Sequence, residues 1–125
     1  MAEQEALKPL DFIGSSREDL KEFPDEVKQD IGYALFEAQK GQKSESAKPL
    51  KGFGGAGVLE IIERFGGDTY RAVYTVKFRD TVYVLHCFQK KSKSGIKTPQ
   101  QDIDLIAQRL RAAEEDCTAR YQRGK

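Results

Sequence analysis

The chain has 125 residues, 38% of them apolar and 33% charged, and a formal net charge of +1. That length supports one compact domain with one core, and the composition excludes a wholly disordered or collagen-like chain. No apolar run approaches the roughly 18–20 residues of a membrane span, and the stretch from Met1 to Glu5 lacks the apolar segment of a secretory signal, so a cytoplasmic protein without a membrane partner is expected.

Residues 8–13 read as a first strand, with Pro9 at its start and Leu10 and Phe12 on one face. Ser15 to Glu18 has the spacing of a capping box for a short helix ending near Phe23-Pro24. Pro24 can open a second helix, and Asp25 and Glu26 suit its positive end. Val27, Ile31, Ala34, Leu35 and Ala38 then form one apolar helical face that stops at Lys40-Gly41. The two helices should pair as an antiparallel hairpin over a sheet. A loop over 42–57, rich in Lys, Ser and Gly, leads to three strands at about 58–65, 69–78 and 81–89, built from Val, Ile, Tyr and Phe. Tight turns are predicted at Gly66-Gly67-Asp68 and Arg79-Asp80. A last helix begins at Thr98-Pro99-Gln100-Gln101, with Thr98 as cap and Gln101 completing a box. It buries Ile103, Ile106, Ala107, Leu110 and Ala113, and beyond about residue 117 the chain is polar and expected to fray. The order β-α-α-β-β-β-α predicts an α+β domain over 1–125, its core at about 8–116, with helices on one face of a mostly antiparallel four-stranded sheet.

The small net charge conceals an asymmetry. Residues 1–40 carry 5 Lys or Arg against 10 Asp or Glu, residues 41–99 carry 11 against 5, and residues 100–125 carry 5 against 5. Clustered cations, not the total, set the local field that attracts phosphate. The middle block is therefore either a nucleic-acid surface or a solvated surface with chance clustering. Gly52 to Gly57 lacks the Lys-Ser/Thr that would make it a phosphate loop. Cys87 and Cys117 lack metal-ligand spacing and read as reduced structural thiols. No serine–histidine–acid constellation or metal-ligand cluster is visible, so neither metal nor other cofactor is expected.

The motifs have an order of their own. Lys48-Pro-Leu-Lys-Gly-Phe-Gly-Gly-Ala-Gly-Val-Leu-Glu60 precedes Asp68-Thr-Tyr-Arg-Ala-Val-Tyr74, then Tyr83-Val-Leu-His-Cys-Phe-Gln-Lys-Lys91 and Lys97-Thr-Pro99. Ser16, Asp19, Leu20 and Phe23-Pro24 lie upstream. The set, over about residues 8–112, resembles the phage-derived Gp49-like, or HigB-type, branch of the RelE/ParE toxin superfamily. The resemblance implies a RelE-like fold, whose concave sheet face meets mRNA on the ribosome. It also implies metal-independent cleavage through 2′-hydroxyl attack on the adjacent phosphate. The implied partners are the ribosome, mRNA and a cognate antitoxin of helix-turn-helix, HigA-like type.

Such cleavage needs a base for the 2′-OH proton, cations for the phosphorane and an acid for the leaving oxygen. Arg71 matches the family's phosphate-handling arginine and carries a fork suited to phosphate oxygens; the alternative is a salt-bridged strand arginine. Lys90 and Lys91 close a strand and point to opposite faces, Lys91 being the closer match to the family's basic residue. RelE itself uses lysines on the corresponding strand, where this chain carries Glu60 followed by Ile61 and Ile62; Glu60 is either a general base or a partner orienting Arg71. Lys43, Lys48, Lys51, Arg64, Lys93 and Lys97 would line the approach for RNA phosphates. His86, beside Val84 and Phe88, reads as a packed core residue. HigB and YoeB relatives use a histidine or tyrosine near the chain end, and Ser92 to Thr98 holds neither. Tyr70, Tyr74 and Tyr83 are strand aromatics or base-stacking platforms. Three functions share this fold: an mRNA endoribonuclease, a ParE-like gyrase poison, and an inactive antitoxin-binding member.

Overall fold

The computed structural model describes residues 7–54, 57–78, 80–90 and 98–123. Its elements are β1 (Leu10–Phe12), α1 (Ser16–Lys21), α2 (Asp25–Gln39), β2 (Ala47–Pro49), β3 (Val58–Phe65), β4 (Asp68–Thr75), β5 (Val82–Lys90) and α3 (Gln100–Arg123). The sheet has five strands, not four, in the order β1-β5-β4-β3-β2. The added strand, β2, pairs antiparallel with β3 inside the stretch expected to be loop. At three residues, one of them proline, it has no alternation to read. β1 runs parallel to β5, and the other pairs are antiparallel.

β3 and β4 meet through a two-residue turn in which Gly66 and Gly67 both have positive φ, at 61° and 87°. That is what a type I′ hairpin demands, and glycine supplies it without strain. Asp68 consequently belongs to β4, opposite Phe65, rather than to the turn. Arg79, half of the other predicted turn, lies outside the described residues.

The sheet separates two cores. Leu59, Ile61, Tyr70, Ala72, Tyr74, Val82 and Val84 pack with Phe23, Val27, Ile31, Ala34, Leu35 and Ala38 of the helical hairpin. Residues of the alternate parity, Val58, Val73 and Tyr83, join Leu85 against Ile106 and Ala113 of α3. Strand side chains alternate between faces, so α3 covers the face opposite the hairpin, and the expectation of helices on one face is corrected. Both faces of the central strands are apolar, which periodicity alone does not resolve.

The helix starts also differ from expectation. The Ser15 hydroxyl donates to the Asp19 carboxylate at 2.8 Å, and no side-chain cap bond forms at α1, so the Ser15–Glu18 box is absent. Pro24 precedes α2 rather than opening it. At the other end α3 runs on to Arg123 instead of fraying near 117. Arg120 bridges Asp11 at 2.6 Å and Asp116 at 3.0 Å, and Asp116 accepts the Tyr83 hydroxyl at 2.8 Å. These polar ties anchor the late turns of a helix whose sequence there is polar. Farther up, Arg109 donates to the Leu85 carbonyl at 2.9 Å. Its guanidinium carbon lies 2.7 Å from where a Gly14 Cβ would stand, so a side chain at Gly14 would displace it.

Candidate functional site

β3, β4 and β5 place the residues of the α3-side face in three cross-strand rows. Glu60, Val73 and His86 form one, Ile62, Arg71 and Phe88 the next, and Arg64, Thr69 and Lys90 the last. Lys48 extends the first row, since it pairs with Glu60. Glu60, Arg71, Arg64, Lys48 and Lys90, all singled out in the sequence, therefore share one face. Lys48, Lys51 and Arg64 are exposed and Lys90 is half-buried. Lys91, Lys93 and Lys97 lie outside the described residues.

The centre of this face is closed. Arg71 is only 2% exposed and Glu60 3%. Arg71 Nη1 donates to Glu60 Oε2 at 2.8 Å, and the Thr98 hydroxyl donates to the same oxygen at 3.1 Å. Thr98 Oγ1 also lies 3.4 Å from Arg71 Nη1. Thr98, expected as the cap of α3, thus seals the ion pair from the residue two places before the helix. A charge-assisted bond between two desolvated ions holds its geometry tightly, because breaking either half strands the other. Arg71 Nε is buried and has no partner among the described residues.

One turn into α3, Asp102 receives His86. Its Oδ1 lies 2.7 Å from His86 Nε2, and the ring stacks on Phe88 with centroids 4.7 Å apart at 18°. His86 Nδ1 is buried with no partner among the described residues. This contact was not legible in the sequence, where Val84 and Phe88 were both taken to flank His86. A β-bulge intervenes: Val73 pairs with His86 but Tyr74 with Val84, leaving Leu85 as the extra residue. The bulge resets the alternation, so Val84 points to the hairpin and His86 to α3. The available signals were the i, i+2, i+4 spacing of His86, Phe88 and Lys90, and the four-residue spacing of Thr98 and Asp102.

The three strand tyrosines are not stacking platforms. Tyr70, Tyr74 and Tyr83 are buried, and Tyr70 meets Phe23 edge-on at 4.9 Å. Burial, then the Asp116 hydrogen bond, pushes the Tyr83 phenol well above its ordinary range. Burial, then the Glu37 charge, pushes Tyr74 up to about 12. Among the described residues no group of three or more His, Cys, Asp or Glu is placed to hold a metal. Nor is any helix among them long and apolar enough to cross a membrane.

A helical hairpin and a C-terminal helix on opposite faces of a mostly antiparallel, mixed sheet is the RelE-like toxin fold. The isolated RelE toxin of E. coli superposes with a TM-score of 0.54 at 24% identity, covering 71% of this chain and 89% of that one. A RelE mutant of E. coli, two arginines replaced by alanine and in the free state, gives 0.51 at 20% identity, covering 66% and 82%. A RelBE toxin–antitoxin complex from Mycobacterium tuberculosis gives 0.47 at 21%, covering 73% and 100%. No curated protein matches the sequence. The chain belongs to the phage-derived Gp49-like family (DUF891), whose model matches residues 18–111, and it shares its fold with the RelE toxin.

Proposed function

We propose that this chain is the toxin of a type II toxin–antitoxin pair, a ribosome-dependent mRNA endoribonuclease acting in the cytoplasm. The observation that carries the reading is the single sheet face on which Lys48, Arg64 and Lys90 surround the buried Arg71. Phosphates meet these cations and, in the extended set, Lys51, Lys93 and Lys97. Such contacts hold RNA without reading its sequence. Specificity for RNA comes from the chemistry, because only RNA has the 2′-hydroxyl that attacks the adjacent phosphate. The Glu60 carboxylate is committed to Arg71 and Thr98, which supports its role as the partner that orients Arg71 over that of general base. Lys90 shares the Arg71 face, which supports Lys90 as the phosphate-facing member of the Lys90-Lys91 pair. The antitoxin, of helix-turn-helix type, binds the acidic helical pair or α3 and leaves this sheet face to RNA.

The burial of Arg71 favours one second reading, a member that binds its antitoxin without cutting. Induction of the chain in a bacterial host, with primer extension on a translated mRNA and an untranslated control, separates them. Cuts confined to translated codons are expected. Growth arrest with DNA-damage signalling and no cuts would mean a gyrase poison, and no arrest at all would mean the non-cutting member.

A further inference from the structure

Two polar nitrogens are buried without a described partner on the same sheet face, Arg71 Nε and His86 Nδ1. Buried polar groups are nearly always satisfied, so each exception asks for an explanation. Arg71 pairs across the β4–β5 ladder with Phe88, and Val73 pairs with His86. Arg71 and His86 are therefore diagonal neighbours, whose Cβ atoms in an antiparallel pair stand roughly 7–8 Å apart. A phosphate group lodged between two such side chains can meet both. Phe88 sits opposite Arg71 and stacks on the imidazole, fixing the ring plane. Asp102 fixes the ring's rotation through Nε2 at 2.7 Å. A carboxylate on one ring nitrogen, with the other left for chemistry, is how an acid–base histidine is set up.

We propose that His86, oriented by Asp102, is the general acid of the cleavage, and that Arg71 Nε and His86 Nδ1 together bind the scissile phosphate. The assignment rests on the ribonuclease reading above. The 2′ oxygen bonds to phosphorus and its proton passes to solvent water. As the bond from phosphorus to the 5′ oxygen breaks, His86 Nδ1 gives its proton to that oxygen. The products are a 2′,3′-cyclic phosphate and a 5′-hydroxyl, and water reprotonates the neutral imidazole. The charged groups facing the site are Glu60 from β3, Arg71 from β4, Lys90 from β5 and Asp102 from α3. In the free chain both nitrogens are covered.

The test is single-turnover cleavage on programmed ribosomes by the full chain and by His86→Gln and Asp102→Asn. One mRNA is ordinary, and the other carries sulfur in place of the bridging 5′ oxygen at the cut. A thiolate leaves without a proton, so it makes a general acid dispensable. On ordinary mRNA His86→Gln should lose about 100-fold or more, the scale of general acid catalysis, and the alkaline limb of the pH–rate profile should go with it. On the sulfur-substituted mRNA its rate should return to within a few-fold of wild type. Asp102→Asn should show the same pattern with a smaller loss. Equal losses on both mRNAs would overturn the assignment and make His86 a structural residue. A wild-type chain that cuts neither mRNA would overturn the ribonuclease reading itself.

Discussion

Breaking the Glu60–Arg71 pair from either side should have unequal consequences. Glu60→Leu leaves a guanidinium that keeps its charge at any accessible pH, in a place where Arg71 is 2% exposed and already has one unpartnered nitrogen. Removing one partner of a buried pair costs about 3–5 kcal/mol, a large share of the roughly 5–15 kcal/mol that holds such a domain together. Arg71→Met leaves a carboxyl group instead, which can take up a proton and keep its bond to Thr98 at 3.1 Å. Its cost should be smaller. The double variant removes both charges and fills the space with apolar groups, an exchange that is often neutral or stabilising, so it should recover most of what Glu60→Leu loses. Urea denaturation reads all four proteins. With a slope of roughly 1–3 kcal/mol per molar urea, Glu60→Leu should move the midpoint down by at least about 1 M at unchanged slope. A Glu60→Leu loss below about 1 kcal/mol, or a double variant no better than Glu60→Leu, would refute the claim that the pair is desolvated. Loss of toxicity in any Arg71 variant therefore has to be read against its folded fraction.

Lys48→Ala and Arg64→Ala should weaken binding to single-stranded RNA and lower the slope of log affinity against log salt by about 0.7 per lost contact; an unchanged slope would remove these residues from the interface. Cys117, half-buried, should react with a thiol reagent in the native state. Cys87, whose buried thiol is pushed up to about 12 by burial and then by Asp19, should wait for unfolding, and equal rates would contradict the packing. Tyr74 is held at about 12 against an unfolded value near 10, so its contribution is fully present below pH 10 and lost as pH rises toward 12. Tyr83 acts in the same direction, and a urea midpoint that stays flat from about pH 9 to 11 would count against both.

The helices and long strands were legible because their apolar residues recur with a clear period. Val27, Ile31, Ala34, Leu35 and Ala38 all lie in one core, and β3 has the bounds its pattern suggested. Short or locally irregular features were not. β2 has three residues, and the bulge at Leu85 reverses the faces of Val84 and His86 relative to strict alternation. The placement of α3 was missed because β4 and β5 are apolar on both faces, so their pattern does not say which face a helix takes. Of the site, Glu60 and Arg71 were found as residues, but their mutual burial and the part played by Thr98 belong to tertiary structure. Thr98 has the residue type and spacing of a cap, but in the fold its hydroxyl is placed on the buried ion pair.

The charge asymmetry along the chain becomes an asymmetry in space because a sheet lies between its halves. The acidic residues of α1 and α2 stay on the hairpin side. Lys48, Arg64 and Lys90 alternate with the apolar residues that face that hairpin, so they project to the other side. Packed layers stand roughly 10 Å apart, and the Debye length at physiological ionic strength is about 8 Å. Acidic and basic fields are thus largely screened from each other, so a chain of net charge +1 carries a basic face and an acidic back that act separately. Replacing Asp25, Glu26 and Asp30 by their amides should then leave RNA affinity almost unchanged at about 0.15 M salt, where the Debye length is only about 8 Å. At about 0.01 M the length grows to roughly 30 Å, and the same triple change should tighten binding severalfold. Tightening of equal size at both salt concentrations would show that the acidic hairpin touches the RNA path directly, and that the two faces are not electrically separate.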